Sequence, residues 1–156
     1  MKYWLFKSEP DTFSIDALAV RPARTSHWDG VRNFQARNMM RDEMKRGDLG
    51  FFYHSSCADP GVVGIVEVVR EAYPDHTAFD SGSAYFDADS DPAEPRWYMV
   101  DVRLVRRFAR PIALATLRAH AGGRLKDMWI LRRGNRLSIT PVTVAQWKFI
   151  NSLAGE

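Results

Sequence analysis

Val62-Val63-Gly64-Ile65-Val66 follows directly on Asp59-Pro60-Gly61 and contains no polar side chain. The proline–glycine pair marks a turn, and a short unbroken apolar run after it reads as a strand covered on both faces. A strand of that kind belongs inside a barrel wrapped by helices. Working outward, residues 49–54 and 62–70 read as two strands joined by that turn. Residues 97–108 give the clearest strand: Tyr98, Val100, Val102 and Leu104 alternate with Trp97, Met99, Asp101 and Arg103, the period-two pattern of a sheet with one core face.

The N-terminal part supplies the first strand and the first crossover. Residues 3–7 are aromatic and apolar, and Pro10 ends them. Ser14 caps a short helix through Val20 with Ile15 and Leu18 on one face, and Arg21-Pro22 stops it. Residues 23–32 read as a loop. Residues 33–46 read as a helix of about three turns, with Phe34, Ala36, Met39, Met40 and Met44 toward a core and Arg37, Arg41 and Lys45 on another face. Gly47-Asp48 turns the chain. Residues 74–96 form a long loop with a short strand at 84–86. Pro111 opens a helix holding Leu114 and Leu117, which Gly122-Gly123 ends. A short segment follows at 125–131, then a last strand at 136–139. Thr143 with Gln146 gives a capping box for a final helix, whose Val144, Trp147 and Ile150 seal the core. The first crossover is helical and later strands are joined by turns or loops. This predicts an α+β domain over residues 1–156, a small closed or nearly closed β-barrel of five to six strands flanked by helices. Regular strand–helix alternation, which a doubly wound sheet needs, is missing.

Apolar residues make up 46% of the 156 residues and charged residues 26%, an ordinary globular balance. The one cysteine, Cys57, rules out an internal disulfide, and the four scattered histidines give no zinc spacing. Neither metal nor cofactor is expected, and the compartment is expected to be a reducing cytoplasm. No apolar run reaches the roughly 18 residues of a membrane span, and Lys7 recharges the opening segment too early for a signal peptide. The net charge is only +3, but it is unevenly placed. Residues 97–156 carry eleven Lys/Arg against three Asp/Glu, whereas residues 71–94 hold seven carboxylates and no Lys or Arg. Such polarity can steer a polyanion to one side.

His27-Trp28-Asp29-Gly30-Val31-Arg32-Asn33-Phe34-Gln35-Ala36-Arg37-Asn38 carries the chemistry. An indole can stack on a flat ring, amides can read hydrogen-bonding edges, and an arginine can meet a phosphate. Trp28, Tyr53 and Trp97 stand at element edges beside polar residues and form a candidate aromatic pocket. Asn33 is either a base-edge reader or a helix N-cap. Lys7 and Ser8 are held at the end of the first strand by Pro10. Tyr53-His54-Ser55-Ser56-Cys57 offers hydroxyls at a strand end. Its polar residues are adjacent in sequence and lack a Gly-x-Ser-x-Gly elbow, so nucleophilic catalysis is not expected.

Tyr3-Trp4-Leu5-Phe6-Lys7-Ser8-Glu9-Pro10 resembles the opening of EVE-domain proteins. The resemblance continues through residues 28–38, Gly47-Asp48 and Phe52-Tyr53-His54-Ser55. It resumes at Pro95-Arg96-Trp97 and ends with Leu137-Ser138-Ile139-Thr140-Pro141-Val142-Thr143. Phe34 stands where many members carry tyrosine. The resemblance implies a PUA-like pseudo-barrel and a reader of modified bases, modified cytosine in DNA above all. The pocket it implies is lined by Lys7, Ser8, Trp28, Asn33, Tyr53, His54, Ser55 and Trp97. The expected protein is a non-enzymatic nucleic-acid reader. Trp28 or Trp97 stacks on an extruded base. Asn33, Ser8 and a backbone group near Ser55 read its edge, and its modifying group sits beside Tyr53. Lys7, Arg32 and the basic last third hold phosphates. The alternatives are an RNA-binding module acting on tRNA or ribosomal RNA, and an enzyme acting on a nucleotide-like small molecule through His54 and Ser55.

Overall fold

A computed structural model describes residues 1–155. Six strands are present among them: β1 (Tyr3–Ser8), β2 (Thr25–Trp28), β3 (Leu49–His54), β4 (Gly61–Pro74), β5 (Tyr98–Ala113) and β6 (Ile139–Val142). They form one mixed sheet in the order β2-β5-β4-β3-β1-β6. Only β1 and β3 are parallel, and the chain between them holds α1 (Ile15–Ala19), β2 and α2 (Phe34–Asn38). Helices α3 (Leu114–Ala119) and α4 (Val144–Leu153) follow β5 and β6.

This is the α+β class expected, but the barrel is not closed by hydrogen bonds: the strand order has two ends, β2 and β6. Side chains do the closing. Three strands separate β2 from β1 in the order, yet Trp28 on β2 meets Phe6 on β1 and Phe52 on β3 edge to face, at 5.2 and 5.3 Å. The sheet must therefore curl around that contact. Alternation along the strands separates two cores. Trp4 and Phe6 of β1, Phe52 of β3 and Val66 and Val68 of β4 face inside with Trp28, Met39 and Met40. Leu5, Phe51, Tyr53, Val62 and Ile65 face the other way, against Leu117, Trp147 and Ile150. Gly64 marks where two layers come closest: a Cβ there would stand 2.4 Å from the Arg106 carbonyl oxygen and from Ile15 Cδ1.

Local signals held where the residue's own chemistry decides the outcome. Ser14 accepts from Ala17 N at 3.0 Å. Thr143 and Gln146 form both halves of the capping box. Asn33 caps α2 by accepting from Gln35 N and Ala36 N at 2.8 and 3.1 Å. Gly47 (φ +95°) and Asp48 turn the chain, and the buried Asp48 carboxylate accepts from Lys2 N, Lys45 N and Trp4 Nε1.

Tertiary contacts overruled several expectations. The segment read as a loop holds β2, which exists because Thr25–Trp28 pairs antiparallel with β5. The helix expected over 33–46 ends as a π-turn at Met39–Glu43, closed by Met44 N to Met39 O at 3.0 Å. That wider turn buries Met39, Met40 and Met44 together. Phe34 is exposed and stacks on Trp97, with centroids 4.7 Å apart. No strand forms at 84–86: residues 84 and 85 lie in a turn and Phe86 in irregular chain. Pro111 lies within β5 and opens no helix. The last strand is shifted to Ile139–Val142, and Val144 is exposed while Trp147 and Ile150 are buried.

A base-sized cavity at the ends of β1, β2 and β3

The curl leaves a cavity of about 500 Å³ at the C-terminal ends of β1, β2 and β3. Strand ends supply Lys7 and Ser8, Trp28, Asp29 and Gly30, and Ser55 and Ser56. Phe13, Arg21, Tyr85 and Ser138 come from the connecting segments. The parallel pairing of β1 with β3 sets Ser8 beside His54, and Ser55 N donates to Ser8 O at 3.0 Å. Lys7 N likewise donates to Ser138 O at 2.8 Å. The volume suits a small-molecule or single-base site.

Four of the nine sequence-predicted site residues, Lys7, Ser8, Trp28 and Ser55, line this cavity. Lys7 is half-buried, and burial lowers the pKa of its ammonium. Ser8 Oγ donates to Phe13 O at 2.8 Å, holding the residue that forms one wall. Trp28 is only 5% exposed and stands edge-on to Phe6, Phe13 and Phe52, so it is a wall fixed by the core.

The other five do not line the cavity. Tyr53 points into the core on the opposite face of the sheet, where burial raises its phenol pKa. His54 Nε2 accepts from Ile15 N at 3.1 Å; burial lowers its pKa, and a neutral ring suits an acceptor. Asn33 uses its side-chain oxygen as the cap. Trp97 Nε1 donates to Asp87 at 2.7 Å, and this hydrogen bond leads the causes that pull the Asp87 carboxyl below the usual range. Arg32 serves as a clamp within the fold. Its guanidinium donates to Tyr85 O at 2.7 and 3.1 Å, to Asp75 at 3.1 Å and to Thr77 at 3.3 Å. It also stands 5.7 Å from the Tyr85 ring centroid and 5.5 Å from that of Trp97.

The residues that sequence reasoning missed come mainly from the acidic segment. Asp75 is fully buried and takes hydrogen bonds from Gly30 N (2.9 Å), Arg32, Thr77 N (2.9 Å) and the Thr77 hydroxyl. Burial pushes its pKa up, but these donors outweigh burial and hold it below the ordinary carboxylate value. The clamp presses the Tyr85 ring onto Gly30, where a Cβ would stand 2.5 Å from the ring and φ is +79°. Glycine removes both obstacles. No periodic signal marked Tyr85, because it lies in turns. Asp29 sits next to this ring. Its pKa is raised, first by burial and then by the Asp75 charge, with His27 acting the other way.

Among the described residues, no cluster of His, Cys, Asp or Glu could hold a metal ion, and no helix is long and apolar enough to cross a membrane.

Residues 2–153 match the family model for the EVE domain. The chain is 46% identical to thymocyte nuclear protein 1 of Gallus gallus, covering 99% of this chain and 69% of that protein. It is 45% identical to the Homo sapiens protein of the same name, covering 97% and 73%. A crystal structure of human THYN1 protein in complex with DNA containing 5-methylcytosine superposes with a TM-score of 0.95. That likeness has 43% identity and covers 100% of this chain and 99% of that one. A crystal structure of a Pseudomonas putida protein gives a TM-score of 0.92 at 47% identity, covering 97% and 99%.

Proposed function

This chain belongs to the EVE-domain family, and we propose that it is a non-enzymatic reader of a modified base, with modified cytosine in DNA the favoured ligand. The observation that carries this reading is the open cavity of about 500 Å³ with aromatic walls, Phe13, Trp28 and Tyr85, and a hydroxyl-rich floor, Ser8, Ser55 and Ser138. A base extruded from its stack finds there a face to stack on and polar groups for its edge. The likeness to human THYN1 protein, solved with DNA containing 5-methylcytosine, points the same way. His54 Nε2 already accepts from Ile15 N and so is not free to act as the general base of a His54–Ser55 mechanism, which favours binding without turnover. A reducing cytoplasm fits a chain whose one cysteine, Cys57, is unpaired.

The phosphate contacts of this reading fall to Lys7 and the basic last third. Arg132, Arg133 and Arg136 are exposed and stand two to six residues before Ser138, which lines the cavity. Lys7 lines the cavity with no carboxylate paired to it among the described residues. Affinity should therefore fall with salt, with a log–log slope of about −0.9 per phosphate contacted. The test is a titration of labelled oligonucleotides with and without 5-methylcytosine, in DNA and RNA versions. Tighter binding to methylated DNA is expected. Equal affinity for modified and unmodified strands would defeat the reader reading, and preference for the unmodified RNA strand would replace it with an RNA-binding one.

A further inference from the structure

We propose that Asp29 sets the base selectivity of this cavity: its carboxylate accepts a hydrogen bond from the exocyclic amino group of a cytosine-type base stacked on the Tyr85 ring. The inference rests on the reader function above and adds the residue that tells an amino-bearing base from its oxo counterpart.

Three observations lead to Asp29. It lines the cavity directly after β2, between Trp28 and Gly30, both of which also line it. Gly30 is where the Tyr85 ring lies flat against the backbone, so an acceptor stands at the margin of an aromatic platform. The Asp29 charge is felt by the ring's phenol, whose pKa is raised first by burial and next by Asp29. Finally, the carboxylate is underused. Among the described residues, no other residue donates a conventional hydrogen bond to it. His27 Nε2 stands 3.5 Å from Oδ2, and only 27% of the Asp29 side chain meets solvent. Its neighbour Asp75, by contrast, is saturated by Gly30, Arg32 and Thr77. A partly buried carboxylate whose hydrogen bond comes only from its own backbone N–H keeps acceptor capacity unfilled, which costs stability, and a ligand's N–H can supply what the fold does not.

The selectivity follows from ring chemistry. 5-Methylcytosine and thymine share the ring and the methyl group and differ at two atoms. Cytosine carries an amino donor at C4 and an acceptor at N3, while thymine carries an oxygen at C4 and N–H at N3. A carboxylate facing C4 accepts from the first and repels the second. Asparagine has the same shape but offers an NH2 as well as an oxygen. After rotation of its amide it can satisfy either base, so Asp29→Asn should erase the distinction.

The experiment uses labelled duplexes with 5-methylcytosine, cytosine or thymine at one position opposite an abasic residue, which matches the extrusion costs. Affinities are measured by fluorescence anisotropy at constant salt for the full chain, Asp29→Asn and Asp29→Ala, with thermal melting to verify folding. The unaltered protein should hold 5-methylcytosine about tenfold or more over thymine, the scale of one well-placed base-edge contact. Asp29→Asn should bring the two within about threefold by gaining thymine affinity, while still preferring methylated over plain cytosine. Asp29→Ala should reach the same ratio by losing 5-methylcytosine affinity. If both variants fold and keep the original ratio, Asp29 is not the selector, although the reader function survives. Loss of the fold in both variants would make Asp29 structural and equally overturn the assignment. If the unaltered protein does not favour methylated over plain cytosine, the reader function fails first and takes this inference with it.

Discussion

Replacing Asp75 with alanine should loosen the wall of the cavity and lower the stability of the whole domain by about 3 kcal/mol. Its carboxylate is inaccessible to solvent and takes hydrogen bonds from Gly30 N, Arg32 Nη1, Thr77 N and the Thr77 hydroxyl. Removing one member of a buried charged pair costs roughly 3–5 kcal/mol. The lower end applies because Arg32 keeps the Tyr85 and Val31 carbonyl oxygens and remains 23% exposed. For a domain of this size a loss of about 3 kcal/mol lowers the melting temperature by about 6–12 °C. The assay is urea unfolding at pH 7, accompanied by amide hydrogen exchange over residues 75–87, which should lose protection.

The pH profile supplies a second check on the same substitution. The folded pKa of Asp75 lies below its unfolded value, so its stabilisation is complete above the unfolded pKa of about 3.9. It is lost as pH falls through the folded value. The gap between the unaltered protein and Asp75→Ala should therefore be flat near neutrality and close in acid. A loss under about 1 kcal/mol at pH 7, or a gap that does not narrow below about pH 4, would refute the clamp.

Other substitutions separate wall from frame. Trp28→Ala should cost about 3–5 kcal/mol, because the indole is packed edge-on among Phe6, Phe13 and Phe52; chemical denaturation checks it. Tyr85→Ala leaves the backbone carbonyl that Arg32 grips. Melting should change little while affinity for a methylated oligonucleotide falls by about 1–3 kcal/mol. Asp29→Asn should leave stability at pH 7 unchanged or higher. The folded pKa of Asp29 is raised, so ionising it costs stability as pH rises from the unfolded value through the folded one, and stability curves across pH 4–7 would show the variant spared that loss. Asp48→Ala strands Trp4 Nε1 and two backbone donors and should lower unfolding free energy by about 3 kcal/mol, read from the urea midpoint.

Local chemistry made part of the molecule legible in the sequence. Ser14, Thr143 with Gln146, and Gly47-Asp48 act through atoms a few residues away, so their caps and turn followed from the residues alone. Alternation in β5 likewise announced a strand with distinct faces, aromatic and apolar content announced β1, and the motif around Trp28 pointed to the cavity wall. Asn33 allowed two roles, and the structure uses the one that needs only its own helix.

What the tertiary structure decided is whatever depends on distant partners. Thr25–Trp28 is a strand because β5 is there to pair with it. Tyr53 is lost to the site because side chains alternate across a strand, and its parity puts it on the face away from the cavity. Arg32, a phosphate ligand by composition, is claimed by Asp75 and the Tyr85 carbonyl, more than forty residues away in sequence. Tyr85 and Asp75 sit in a segment without period, so they become part of the site only when the curled sheet brings that segment against Gly30. A sequence records which groups a chain carries, but faces, register and long-range hydrogen bonds fix which of them meet a ligand and which are used up holding the fold together.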